Sequence, residues 1–299
     1  MSERDYVPVW PVPASTSFLS GTSIEVVRPR VFGQAPKHAL FDFDGTLSLI
    51  REGWMDIMMP MLIGHLLPYA KAGETPESIA SLVRNFVTEL TGKQTIYQMI
   101  RLAEEIRLRG GKPADPQAYK AEYHDLLMAR IACRRQGLAD GSIPREALLV
   151  RGSLEILADL RERGTAIYIA SGTDEHYVLE EAHLLGLDDY APGRIYGAQA
   201  DHASFSKEMV IQRILKENAV DGAALIAFGD GYVEVADCKA VGGIAVAVAT
   251  DEAGRSGRCD AWKRERLIGA GADFVIPDFG EARALMRHIW KTARGEVLK

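Results

Sequence analysis

Cysteine is scarce in this chain of 299 residues. There are three, Cys133, Cys238 and Cys259, set far apart and never at metal-ligand spacing. An odd, scattered set excludes a disulfide framework and fits a reduced, cytoplasmic protein. Long apolar runs are also missing. The most apolar stretch, Trp54 to Leu67, is broken by Asp56, Pro60 and His65 and is too short to span a bilayer. The opening Met-Ser-Glu-Arg-Asp carries no secretory pattern. Positive charge is in deficit: 35 Lys and Arg against 41 Asp and Glu leave a net charge of -6. That balance argues against nucleic acid or membrane as a partner. An acidic chain that handles phosphate must do so locally, through a few donors and a cation. What is abundant is apolar residue, 47% of the chain, enough for a sizeable core in one large or two moderate domains.

The densest chemistry lies between Ala39 and Ser48. A short apolar run ends at Phe41, and Asp42 and Asp44 follow, two apart, before Gly45 and Thr46. On extended backbone the two aspartates share a face. Carboxylates so placed repel and call for a cation or a proton between them. They suit a metal ligand, a nucleophile or an acid/base; the plainer alternative is turn chemistry. An EF-hand loop is excluded, because its sixth position would be Leu47 and its twelfth Gly53.

Along the chain, residues 1–36 form a proline-punctuated N-terminal extension in which Ile24 to Val27 is a short strand or an extended arm. The arm is expected to pack on its own domain or on a neighbouring subunit of a homodimer. Residues 38–43 read as a strand buried on both faces, as in a parallel sheet. Residues 50–148 change to helical patterns. One of them is opened by Thr75-Pro76 and keeps Ile79, Leu82, Val83, Phe86, Val87 and Leu90 on one face. From 149 onward strands and helices alternate. Strands are expected at 165–170, 194–197, 225–228, 244–248 and 274–276. Helices are expected to be capped at Ser153, at Thr173 or Asp174, and at Ser206, with a last helix over 281–293. The reading is an α/β protein: a doubly wound parallel sheet over 37–49 and 149–299, with a helical domain inserted over 50–148.

Such sheets bind ligands beyond the carboxyl ends of their strands. Three strands end there in polar groups: Asp42 and Asp44, then Ser171-Gly172-Thr173, then Gly229-Asp230. Lys207 falls between the last two, in the first turn of a helix, where the dipole disfavours a cation. Each residue alone has a plain structural explanation, Glu234 included as a helix-surface residue. Their joint order at strand ends does not.

This order resembles the four motifs of the haloacid dehalogenase superfamily. Asp42 and Asp44 match the first, Ser171 the second, Lys207 the third, and Asp230 with Glu234 the fourth, over about residues 37 to 280. The helical insert sits where many members carry a helical cap. The resemblance implies a Rossmann-like core and a phosphatase acting through an aspartyl-phosphate. Asp42 would be the nucleophile, Asp44 the acid/base and Lys207 the neutralising cation. Thr46, Ser171 and Gly172 would hold the phosphoryl group. Mg²⁺ would be held by Asp42, the backbone carbonyl of Asp44, and Asp230, with Glu234 at the metal or its water shell. Arg51 and Trp54, close behind the first motif, would meet the substrate; Lys93 and Arg101 are further candidates.

The expected substrate is a small phosphorylated metabolite such as a sugar phosphate. A phosphomutase of the same superfamily and a non-catalytic binding protein are the alternatives. A dehalogenase would have no use for Asp44. A phosphonatase would need an insert lysine that forms an imine with substrate; Lys71 and Lys93 are candidates, but nothing in the sequence marks either as buried. His176 and His183 lack a third ligand and read as surface or packing residues.

Overall fold

The computed structural model describes residues 6–295; residues 1–5 of the N-terminal extension and 296–299 lie outside the described residues. The strands are β1 (Ser17–Phe18), β2 (Glu25–Val26), β3 (His38–Phe41), β4 (Ala166–Asp174), β5 (Ile195–Ala198), β6 (Leu225–Gly229), β7 (Ile244–Val248) and β8 (Phe274–Ile276). They form one sheet in the order β1-β2-β8-β7-β6-β3-β4-β5. From β3 to β8 every pairing is parallel, while β1 and β2 join antiparallel at the β8 edge. The expected doubly wound sheet is present, extended by the N-terminal arm. That arm docks on its own chain, with Glu25 opposite Val275 and the Trp10 amide donating to the Gly269 carbonyl.

Alternation along the strands divides the core in two. Ala39, Phe41, Ile226, Phe228 and Val246 face one side, and Leu40, Leu225, Ala227, Ala245 and Ala247 face the other, all buried. Burial on both faces is what parallel strands require. The first face is covered by α5 (Ser153–Glu162), α6 (Glu175–Leu185) and α10 (Ala282–Ala293), the second by α7 (Lys207–Glu217), α8 (Tyr232–Ala240) and α9 (Ala261–Ala270).

Between β3 and β4 run four helices, α1 (Met55–Leu66), α2 (Pro76–Leu90), α3 (Ile96–Leu108) and α4 (Pro116–Asp140). Local chemistry sets their ends. Thr75 and Ser78 make a reciprocal capping box at α2, with Pro76 in its first turn. Asp115 caps α4 by accepting from the Gln117 amide, and Gly141 ends it in the left-handed conformation. Pro60 lies within α1 without ending it.

Two expected caps differ. Ser153 is the first helical residue of α5, behind Gly152, and its hydroxyl donates to the Val150 carbonyl. Asp174 precedes α6 without capping it, because its carboxylate is taken by Lys120 and His124 of α4. Helix α9 had no forecast. Among the described residues no helix is long and apolar enough to cross a membrane.

Candidate active site

Register brings the sequence motifs together. Phe41 of β3 lies opposite Ile169 of β4 and Phe228 of β6. Asp42 therefore stands one residue past this line, and Ser171 and Asp230 stand two past it, at neighbouring strand ends. Successive strands run outward from β3 in both directions, so this is the switch point where such sheets open a crevice. A cavity of about 110 Å³ opens there, lined by Asp42, Asp44, Ser171, Gly172, Lys207 and Asp230 among others.

Asp42 is buried, and its Oδ1 accepts from Lys207 Nζ at 2.7 Å. Burial pushes its carboxyl well above the usual range; Lys207 opposes this, while Glu234 and Asp230 add to it. Lys207 also donates to Glu234 Oε2 at 2.7 Å. Burial works against its charge, yet Asp42 and Glu234 hold the ammonium above the ordinary lysine range. Two carboxylates thus outweigh the unfavourable helix position. Ser206 supplies the cap of α7, accepting from the Met209 amide at 3.1 Å.

Asp44 is held by hydroxyls. Its Oδ2 accepts from Ser171 Oγ at 3.2 Å and from Thr173 Oγ1 at 2.9 Å. Its Oδ1 is buried without a hydrogen-bond partner, 3.8 Å from Arg51 Nε. Arg51 is itself fixed by a two-point pair with Glu181 of α6, at 3.0 and 2.8 Å. Burial disfavours its charge, but Glu181 and Asp44 raise its pKa above the usual value.

Asp230 Oδ1 accepts from Thr46 Oγ1 at 3.2 Å, and Asp230 Oδ2 from Lys263 Nζ at 2.7 Å. Carboxylate oxygens of Asp42, Asp230 and Glu234 all lie within 4.8 Å of one another. Hard oxygens in that number fit a divalent cation such as Mg²⁺. Gly45 gives them room: with φ at +75°, a Cβ there would stand 2.3 Å from Asp230 Oδ2. Glu234 is no surface residue. It is fully buried, its Oε1 accepting from the Gly231 amide and its Oε2 from Lys207. Thr46 is placed under Asp230 rather than in the cavity wall, its hydroxyl also accepting from the Asp230 amide.

The insert supplies the ceiling. Gly172 lies directly under it: a Cβ there would be 2.7 Å from the Lys93 carbonyl oxygen. Arg51, Trp54, Met58, Lys93, Gln98 and Tyr123 line the cavity from this side. Gln98 donates to the Leu90 carbonyl at 3.3 Å, while its Oε1 is buried with no partner. Burial pushes the Tyr123 hydroxyl above its ordinary pKa, against the pull of Arg51, so it stays protonated. Arg101 points elsewhere, pairing with Glu105 at 2.9 Å. Lys71 is exposed, and His183 is exposed and pairs with Asp188 at 2.8 Å. His176 lies against Tyr177, 3.9 Å between ring centres with the planes tilted by 41°.

Sequence reasoning missed Thr173, Glu181, Glu252, Lys263, Gln98 and Tyr123. Only Thr173 had a signal, since it shares the strand face of Ser171.

The model of one protein family, haloacid dehalogenase-like hydrolases, matches residues 36–242. The chain belongs to that family of hydrolases. No curated protein sequence matches it. Solved structures share the fold. A predicted phosphoglycolate phosphatase from Haemophilus somnus 129PT superposes with a TM-score of 0.54 at 12% identity, over 84% of this chain and 97% of that one. A HAD family hydrolase from Deinococcus radiodurans R1, with bound phosphate and sodium, gives 0.51 at 17% identity, over 85% and 96%. A protein described as a beta-phosphoglucomutase from Bacteroides vulgatus gives 0.51 at 16%, over 87% and 91%.

Proposed function

We propose that the protein is a Mg²⁺-dependent phosphatase of a small phosphorylated metabolite, working through an aspartyl-phosphate on Asp42. One observation carries this reading. Two aspartates two residues apart enter one small cavity in different company: Asp42 bonded to a buried ammonium, Asp44 held by two hydroxyls with one oxygen left over. That division suits a nucleophile and an acid/base.

Asp42 attacks phosphorus, and the P–O bond to the leaving group breaks as Asp44 gives that oxygen a proton. Asp44 then takes a proton from water, whose oxygen attacks the phosphoryl group and frees Asp42 with release of phosphate. Lys207 offsets negative charge on Asp42 and the phosphoryl oxygens throughout. Ser171 and the Gly172 amide orient those oxygens. Asp42, the Asp44 carbonyl and Asp230 would hold Mg²⁺, which would supply further charge neutralisation at the transferring group. Glu234 keeps Lys207 in position. The insert roofs part of the cavity, which favours a small alcohol as leaving group and reduces the access of bulk water.

The test is phosphate release from a panel of small phosphate esters, run with Mg²⁺, with chelator, and with Asp42→Asn. Turnover of one ester that vanishes in both controls supports the reading. Isomerised sugar phosphate without free phosphate would move the assignment to a mutase. No chemistry on any ester, with Mg²⁺ bound, would leave a binding protein.

A further inference from the structure

Lys263 has no part in the reaction above, yet it is built into the site. It stands on α9 with its side chain 12% exposed, and its Nζ donates to Asp230 Oδ2 at 2.7 Å and to Glu252 Oε1 at 2.6 Å. Burial works against this ammonium, but the two carboxylates hold it charged. Both Lys263 and Glu252 lie beyond the 36–242 segment that the family model matches. Glu252 lines the cavity and Lys263 does not, so the lysine acts through its carboxylates and not on substrate.

On the floor of the site two ammoniums thus divide four carboxylates. Lys207 takes Asp42 and Glu234, and Lys263 takes Asp230 and Glu252. The pairs are close: carboxylate oxygens of Asp42, Glu234 and Asp230 lie within 4.8 Å of one another, and Asp230 and Glu252 both crowd Gly45, where a Cβ would lie 2.3 Å from Asp230 Oδ2 and 3.0 Å from Glu252 Oε1. Carboxylates packed like this repel strongly where water is scarce. A fixed cation at hydrogen-bond distance removes the repulsion. It also lowers the negative potential that an arriving divalent cation feels.

We propose that Lys263 is a positioning residue, a tethered cation that holds Asp230 and Glu252 together when the metal is absent and moderates how tightly the metal binds. The inference rests on the reading of Asp230 as a metal ligand. It predicts a trade: removing the lysine weakens the metal-free protein and strengthens metal binding.

The experiment is calorimetric titration of Mg²⁺ into the full chain, with thermal unfolding in chelator and in Mg²⁺, for wild type, Lys263→Met, Lys263→Arg and the double variant Lys263→Met/Glu252→Gln. Lys263→Met is expected to bind Mg²⁺ about tenfold more tightly, the scale on which groups behind the ligands move metal affinity. Its Tm in chelator falls, and Mg²⁺ raises that Tm by more than in wild type. Lys263→Arg behaves as wild type. The double variant, which deletes one charge of each sign, returns towards wild type in both readouts and covers the case in which the single variant does not fold.

A lysine that served packing alone would lower both Tm values equally and leave Mg²⁺ affinity unchanged, which overturns the proposal. Weaker Mg²⁺ binding in Lys263→Met overturns it as well. If wild type takes up no Mg²⁺, the metal reading falls and the inference falls with it. If wild type binds and the variants bind no differently, only the inference falls.

Discussion

The floor and the ceiling of the cavity are built on different physics. On the floor, four carboxylates at the sheet edge are tied to two lysines. Charge there is arranged before any ligand arrives. The ceiling, from the four-helix insert, presents a pinned arginine, a protonated tyrosine and a glutamine with an unsatisfied oxygen. The floor is suited to stabilising developing charge, and the ceiling to choosing what the charge is attached to. The sharpest way to test this division is to damage each half and ask which property goes.

The largest effect is expected on the floor. Asp42→Asn should lower phosphate release by roughly ten-thousandfold, the scale seen when a covalent nucleophile is removed. Lys207→Met should approach that loss, because the same ammonium contacts Asp42 and Glu234. Both are measured as kcat on whichever ester the wild type turns over. Retention of a tenth of the activity by either would break the assignment of the floor to chemistry.

The joint between the halves comes next. Arg51 emerges just after the first motif and is held by Glu181 of the core. Arg51→Met strands a fully buried carboxylate, and breaking such a pair costs about 3–5 kcal/mol. Glu181→Met should cost a similar amount. The double variant should recover most of the stability but not the activity, since Asp44 Oδ1 would still lack its nearest cation. Chemical denaturation of the three variants checks the first claim, and kcat of the double variant the second.

The same seam gives a pH dependence. His124 of α4 sits beside Asp174, with its Nδ1 at 3.5 Å and its Nε2 without a partner. Burial depresses its pKa to about 4; Asp174 opposes the shift, while Arg51, Lys120 and His176 add to it. The unfolded chain takes up this proton near the ordinary histidine value of 6.5. Between the two values the unfolded state binds the proton that the folded state refuses. Stability therefore falls as pH drops from about 6.5 towards 4 and levels off below, by about 3 kcal/mol in all. His124→Gln should flatten that part of the stability profile. An unchanged slope would remove His124 as its source.

The two halves were also unequally legible. The floor follows from short local rules. An apolar strand, a paired aspartate and a glycine fix the end of β3, and parallel alternation brings Ser171 and Asp230 beside it. The parallel sheet and four of the insert's helix patterns could be read from periodicity and from caps such as Thr75 and Ser206. Lys263 was out of reach because it sits on α9, a helix with exposed Ala261 and Trp262 at its start and little apolar periodicity before Leu267. Glu181 looks like an ordinary acidic residue in mid-helix, and Asp174 like a helix cap. Their roles come from partners fifty or more residues away, and no spacing rule encodes a contact across two elements.

The ceiling defines the smallest effect and the finest test. Gln98 and Tyr123 come from α3 and α4, 25 residues apart, and both line the cavity from the insert's side. Neither carries charge, so neither is placed to stabilise the transition state strongly; both can form or refuse a hydrogen bond with the leaving group. A buried acceptor left unpaired in the free protein gains most from a ligand hydroxyl. Gln98→Met and Tyr123→Phe should each raise KM about tenfold for a hydroxylated ester with kcat little changed, the pattern of a contact kept in ground and transition states alike. Against an ester whose leaving group has no second hydroxyl the same variants should show almost no effect. Steady-state kinetics on such a matched pair reads the contrast directly. A fall in kcat equal for both esters would place these residues with the floor's chemistry, and the division between the two halves would have to be redrawn.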